Sequence, residues 1–317
     1  MKVFVAGATG AIGRPLINSL TLAGHSAFGM VRSQSSSASL SDSGAEPLVA
    51  DALDASSVTA AVAKVRPDVI INELTSLPKH YRPDDMQAAA ERDARVRLEG
   101  NKNLILAAQQ TGVRRVLVQS TGFWYTPGEG LADEDEPFAY SASPAVANGA
   151  QRYAELEAMT LGRTEFDAVA LRYGFFYGPG TWFMPDGDMG EQVRQQQVPI
   201  IGNGQGVWSW VHIDDAADAT VRALDCAPGA YNIVDDNPIE QGVWLSAFAR
   251  YCGGPEPPHI SEQQALLAAG PDDVYYATRL RGASNAKAKR KLGFRPRPLQ
   301  WLADAAGTSD ARALRLA

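Results

Sequence analysis

The sequence is poor in cysteine and histidine, with two of the first and four of the second in 317 residues. Cys226 and Cys252 stand far apart without ligand or redox spacing, and they read as reduced, inert thiols. His25, His80, His212 and His259 form no His-x-x-x-His or similar pair, so no metal is expected. No apolar run is long enough to cross a bilayer, so no membrane role is expected. The start, "MKVFVAGATG", carries no basic leader and no small-residue cleavage site, and it reads as a buried strand. The expected location is therefore cytoplasmic. An excess of positive charge is also missing: a net charge of -7 argues against nucleic acid as a partner, because such binding needs a basic face. The basic run Lys287 to Lys291 lies within "SNAKAKRKLGF", a capped helix with a Gly stop, and reads as a solvated helix face. No internal repeat is visible.

What the chain does contain is alternation. "KVFVAGA" predicts a strand, followed after a glycine turn by a helix from Arg14 to Ala23. Strands "SAFGMVR", "AEPLVAD", "DVIINEL", "RVLVQS" and "FDAVALRY" follow, with helices over Ser56 to Val65, Asp84 to Thr111 and Ala145 to Leu161. Strands separated by helices of this length specify right-handed βαβ units and a parallel sheet. The strands are apolar throughout, as expected when both faces are covered. The fold class is α/β: a Rossmann-type doubly wound parallel sheet with a smaller C-terminal substrate lobe. Residues 1–175 are assigned to the nucleotide-binding domain, with segments returning to it over about 207–236. Residues 176–206 and 237–307 are assigned to the lobe, and 308–317 to a frayed tail. The serine-rich stretch from Ser33 to Gly44 reads as a mobile loop, and "VWSWVHI" as a single strand.

"GATGAIG" places glycines at 7, 10 and 13, directly after a strand and at the opening of a helix. Gly7 permits the tight turn, Gly10 lets the backbone approach a pyrophosphate, and Gly13 allows close helix–strand packing. The helix start then offers free N–H groups to the phosphates. Where the second strand ends, an NAD site usually carries an acid for the ribose hydroxyls. Here the position holds Arg32 and then Ser33. An arginine can pair bidentately with a 2′-phosphate, so NADP(H) is favoured over NAD(H).

Gly-Ala-Thr-Gly-x-x-Gly, together with "VADALD", "EGNKNLILAA", "VLVQSTGFWY", "LRYGFFYGPG", "WVHIDDAADA" and "GASNAKAKRKLGFRP", resembles the extended short-chain dehydrogenase/reductase superfamily, in its NAD(P)-dependent epimerase/dehydratase-like branch. The resemblance covers roughly residues 1 to 305. It implies cofactor contacts from Gly7, Thr9, Gly10, Ala11, Ile12 and Gly13 in the first turn, and from Arg32 and Ser33 after the second strand. Asp51, Ala52 and Leu53 would lie at the adenine, followed by Leu74, Thr75, Gln119 and Ser120 along the sheet edge. Tyr173, Gly174, Phe175 and Phe176 would complete the site. It also implies a small-molecule substrate and a homodimer through the two long helices.

The chain departs from the family at its proton relay. The family's relay is a Ser/Thr with a helix reading Tyr-x-x-x-Lys-x-x-x-Glu, where the tyrosine moves the proton and the lysine lowers its pKa. Thr121 matches the Ser/Thr. Aligning Ala154-Glu155 with the family's Ala-Glu puts Ala147 at the tyrosine position and Gln151 at the lysine position, with Gln151 free to hydrogen-bond the ribose. Tyr153, about 200° around the helix from Gln151, then points away from the cofactor. Tyr140, in "EPFAYSASP", is the candidate replacement acid, and Glu73 is an unusual acid after the fourth strand. Where the nucleotide-sugar members carry an arginine for the diphosphate, this chain has Trp208, and a neutral indole cannot neutralise that charge. Trp124, Tyr125, Tyr177, Trp182 and Trp208 are the expected substrate contacts. The expected function is an NADP(H)-dependent oxidoreductase of atypical short-chain type, acting on a small, relatively apolar carbonyl, alcohol or conjugated substrate. The alternatives are a non-catalytic NADP(H) sensor and an epimerase or dehydratase that uses the cofactor transiently.

Overall fold

The computed structural model describes residues 1–305 apart from Asp42, so the expected tail lies outside the described residues. The first half runs β1 (Lys2–Ala6), α1 (Gly13–Leu22), β2 (Ser26–Val31), α2 (Ser37–Ser41), β3 (Glu46–Val49), α3 (Ala55–Val65), β4 (Val69–Asn72), α4 (Pro83–Thr111), β5 (Arg115–Thr121), α5 (Pro144–Leu161) and β6 (Asp167–Tyr173). There follow β7 (Phe175–Tyr177), α6 (Asp188–Arg194), β8 (Ile200–Ile201), β9 (Val207–Trp208), β10 (Trp210–His212), α7 (Ile213–Arg222) and β11 (Gly229–Ile233). The last elements are β12 (Ile239–Glu240), α8 (Gln241–Tyr251), β13 (His259–Ile260), α9 (Glu262–Ala268), α10 (Pro271–Thr278), α11 (Ala286–Leu292) and α12 (Gln300–Ala305).

Seven strands form one sheet in the order β11-β6-β5-β4-β1-β2-β3. Every neighbouring pair is parallel. The strand order reverses between β1 and β4, which is where such sheets bind their ligands. Successive side chains on each strand go to opposite faces. Val3 and Val5 therefore join Ile71, Leu117 and Leu171 in a core covered by α1, α7 and α11. Phe4 joins Ile70 and Val116 in a second core under α3 and α4. Each large side chain buried this way contributes about 1.5–3 kcal/mol, so the two cores hold the helices in place. Local signals set the helix ends. Asp54 caps α3 by accepting from the backbone N–H groups of Ser56 and Ser57, and Gly112 closes α4 in the left-handed region at φ 73°.

Two expectations are corrected. The serine-rich stretch holds a short 3-10 turn and α2 rather than a plain loop, because Leu40 anchors it in the core at 2% exposure. "VWSWVHI" breaks at Ser209 into β9, which pairs antiparallel with β12, and β10, which pairs parallel with β7. The break lets the Ser209 carbonyl accept from Phe175 N–H and the Ser209 hydroxyl accept from Ala283 N–H. The lobe built by α6, α8, α10 and α12 packs a third core dominated by aromatic rings, among them Phe183, Trp208, Trp210, Trp244 and Trp301.

Candidate functional site

The glycine turn is built as its spacing suggests. Gly7 sits at φ 88°, and a Cβ there would come 2.4 Å from the Glu73 carbonyl oxygen. A Cβ on Gly13 would come 2.2 Å from the Gly7 carbonyl oxygen. A Cβ on Gly10 would meet only Gly7 O, at 3.2 Å, so the outer side of the turn stays open. Thr9, Gly10 and Ala11 are exposed at the α1 start, while Ile12 is buried beneath them. This cradle fits a pyrophosphate on a helix N-terminus. Arg32 and Ser33 stand exposed at the end of β2, and Asp51 stands exposed after β3. Asp51 accepts from Leu53 N–H at 3.0 Å, with Ala52 buried between them. Leu74 is half-buried and Thr75 exposed after β4.

Helix α5 turns a different face to the sheet than the Ala-Glu alignment implies. Its buried residues are Val146, Gly149, Ala150, Leu156, Glu157 and Thr160. Gln151 and Glu155 are exposed on the other side. Tyr153, expected to point away, lies on the inner stripe, with the Arg97 guanidinium 5.1 Å from its ring centroid and Trp124 edge-on at 5.7 Å. Glu157 is the anchored acid: it accepts from Arg172 Nε at 2.8 Å, Arg172 Nη2 at 2.7 Å and Ser120 Oγ at 2.5 Å. Counting back four and eight residues from Glu157 along one helix face reaches Tyr153 and Gly149. The pattern on the inner face is thus Gly149-x-x-x-Tyr153-x-x-x-Glu157. The signal was present as an i, i+3, i+4, i+7 stripe, but two glutamates two residues apart offered rival anchors.

The space beside Gly149 is filled. A Cβ on it would come 2.2 Å from Cζ3 of Trp124. That indole donates from Nε1 to the Tyr276 hydroxyl at 3.0 Å. Phe123 stacks on Phe175 at 4.1 Å, and Phe175 stacks on Trp208 at the same distance. The rims of Tyr81, Phe123, Trp124, Trp182 and Tyr276 remain part-exposed beside this stack. Of the expected substrate contacts, Trp124 and Trp182 keep open surface. Trp208 is 5% exposed and donates to the Tyr276 carbonyl. Tyr177 is buried, with its hydroxyl on the Pro298 carbonyl. Tyr125 is buried, donating to Asn232 Oδ1 at 2.5 Å and accepting from Arg172 Nη1 at 3.0 Å. These three side chains are packing and network groups of the structure. Tyr140 is 49% exposed and sits at the rim of an open crevice of about 300 Å³, with Glu134, Arg172 and Glu157 also in its wall.

Thr121 lies at the C-terminal end of β5, in register with Tyr173, and its buried Oγ1 has no partner. Gln119 is buried and accepts from Arg97 Nη1 at 3.3 Å, while Arg97 Nε donates to Asp93 at 2.7 Å. Neither Arg97 nor Tyr153 was expected at the site. Glu73 is buried after β4, and desolvation pushes its carboxyl up to about 8. Tyr173, at the end of β6, and Gly174 are buried, and Phe176 on β7 is half-buried. Among the described residues no group of three or more His, Cys, Asp or Glu could hold a metal ion. No described helix is long and apolar enough to cross a membrane.

The profile of the NAD dependent epimerase/dehydratase family matches residues 3–233. The chain is 37% identical over 304 residues to the 3-diazoavenalumate denitrifying reductase of a Streptomyces species, covering 95% of this chain and 98% of that one. It is 25% identical to the 2-alkyl-3-oxoalkanoate reductase of Stenotrophomonas maltophilia, over 80% of this chain and 77% of that one. It shares its fold with the Thermus thermophilus UDP-glucose 4-epimerase solved in complex with NAD, at a TM-score of 0.68 and 23% identity, with 95% and 96% of the chains covered. The chain belongs to the NAD-dependent epimerase/dehydratase family, and it is an oxidoreductase- or epimerase-like enzyme.

Proposed function

We propose that the chain is an NADP(H)-dependent reductase that replaces the diazo group of a small, planar aromatic compound with hydrogen. The observation that carries this reading is an intact cofactor turn beside a helix with Gly149 and Tyr153 at the relay positions. Ketone reduction needs a proton delivered to oxygen as hydride arrives at carbon. Loss of dinitrogen does not. An aryl diazonium accepts hydride at the ring carbon, the C–H bond forms, the C–N bond breaks, and its electron pair leaves with N2. The cation and the hydride cancel in charge, so no general acid is required. The 37% identical denitrifying reductase supports the same class of substrate.

The cofactor, when bound, supplies the hydride. This chain's residues do the rest. The Gly7–Gly13 turn would hold the pyrophosphate at the α1 start. Arg32 and Ser33 would take the 2′-phosphate, and Asp51 with Leu53 would hold the adenine. Phe123, Trp124 and Tyr276 are part-exposed aromatic side chains against which a conjugated ring would pack. Electron-rich indole and phenol faces also favour a cationic diazonium. Arg97, in place of the relay lysine, brings positive charge to the inner face of α5.

A second reading is favoured by Thr121, whose buried hydroxyl lacks a partner and would donate to a carbonyl oxygen, with Tyr140 as the proton source. One experiment separates the two. The enzyme is given NADPH deuterated at the transferred position, with aryl diazo acids and matched aryl ketones. The diazo reading requires N2 release and deuterium on the ring carbon. Turnover of ketones without loss of nitrogen would sink it, and turnover of neither would sink both.

A further inference from the structure

Glu73 has a place that neither the relay nor the substrate stack explains. It follows β4 at the switch point of the sheet, and its backbone N–H donates to Ala6 O at 2.9 Å. Its carbonyl presses on Gly7, the first glycine of the cofactor turn. Its side chain is 3% exposed and reaches beneath the strand ends to Tyr173 on β6. The carboxyl is therefore buried between the C-terminal ends of β4 and β6, beside the Gly7 turn.

The hydrogen bonds around it can be counted. The Thr220 hydroxyl donates to the Ala216 carbonyl at 2.7 Å, which uses its one proton. Tyr173 Oη lies 2.6 Å from Thr220 Oγ1, so the tyrosine is the donor in that pair, and its one proton is used too. Tyr173 Oη is also 3.1 Å from Glu73 Oε1. With both hydroxyl protons committed, that last link closes only when the carboxyl carries a proton. The far oxygen, Oε2, is buried with no partner at all. An ionised Glu73 would have to pull the Tyr173 proton back and open the chain at Thr220. The titratable and charged groups facing it are Tyr173 from β6, Arg97 from α4 and Tyr153 from α5; α7 offers Thr220, and β1 ends in Ala6. The Arg97 cation is held by Asp93, which leaves Glu73 without an ion partner of its own.

We propose that Glu73 is a charge-coupling residue of the cofactor site, neutral beneath the reduced cofactor and ionised beneath the oxidised one. Oxidised nicotinamide carries one more positive charge than reduced nicotinamide. A buried carboxylate beside the cofactor turn favours that charge, and the charge in turn favours release of the Glu73 proton to solvent. Affinity for the oxidised form must then rise with pH relative to the reduced form. The inference rests on the nicotinamide cofactor and not on the diazo substrate.

The test is the ratio of dissociation constants for NADPH and NADP+, measured by calorimetry from mildly acidic to mildly alkaline pH. The 2′-phosphate is common to both ligands, so its titration cancels in the ratio. Wild-type protein should shift the ratio about tenfold towards NADP+ as pH rises, the effect of one pK unit of coupling. E73Q should flatten the profile. A flat wild-type profile, or an unchanged slope in E73Q, overturns the proposal. If E73Q does not fold, Tyr173→Phe must move the midpoint of the same profile, and an unmoved midpoint overturns it equally. Should NADP(H) not bind, the NADP reading has failed, and the NAD+ and NADH pair carries the same test.

Discussion

Gly149→Ala tests the packing that closes the relay slot. The added Cβ would stand 2.2 Å from Trp124 Cζ3 and 2.5 Å from Cη2. Ordinary contact begins near 3.4 Å, so the indole must withdraw by roughly 1 Å. It cannot do so freely. Nε1 is tied to the Tyr276 hydroxyl at 3.0 Å, and the ring edges meet Phe123 and Tyr153. Overpacking costs about 1–3 kcal/mol, and loss of the hydrogen bond costs about 1 kcal/mol more. Alanine in a helix returns about 1 kcal/mol relative to glycine. The expected net loss is about 1–3 kcal/mol, read from urea unfolding with unchanged m-value. In the double variant with Trp124→Ala the clash disappears, so the two changes should couple by about 1–2 kcal/mol. If G149A is as stable as the parent, or adds simply to W124A, the indole does not occupy the slot. The same lock means that G149Y with Y153K should not restore a working relay while Trp124 remains.

Three further outcomes follow from the structure. E157Q leaves the buried Arg172 guanidinium without its carboxylate and should lower unfolding free energy by about 3–5 kcal/mol, measured by denaturant titration. Arg32→Ala should weaken NADPH binding roughly tenfold or more while leaving NADH within twofold; equal loss for both would remove the case for NADP. The cofactor-free protein should lose stability with rising pH through Glu73. Its carboxyl ordinarily titrates near 4.5 but is raised to about 8 by burial in the fold. Between those values the native state holds a proton that the unfolded chain has released, so stability is full below 4.5 and drains away up to about 8. The slope is about 1.4 kcal/mol per pH unit, and E73Q should remove it from the unfolding profile.

The cofactor half of the molecule was legible because its signals are local. "KVFVAGATGAIG" carries strand, turn and helix start within a dozen residues, and the steric demands on Gly7 and Gly13 act between near neighbours. The parallel sheet was legible from apolar strands spaced by helices. The relay helix was harder. Glu155 and Glu157 look alike in sequence, and the choice between them is made by Arg172 on β6, which buries one and leaves the other in water. The substrate side was harder still, since every aromatic ring there suits a lobe core and a pocket wall equally well. Tyr125 joins the core through Asn232, and Trp124 stays at the edge through Tyr276, partners more than a hundred residues away.

The sequence by itself determined that a dinucleotide-binding sheet forms, and that no tyrosine–lysine pair stands on one face of α5. Only the tertiary structure decided what stands there instead. Gly149 yields its place to an indole, Tyr153 turns inward against Arg97, and Glu73 is sealed beneath the strand ends. The physical reason is burial: charge, hydrogen bonding and contact at these positions are set by groups that folding brings together, and chain order carries no record of them.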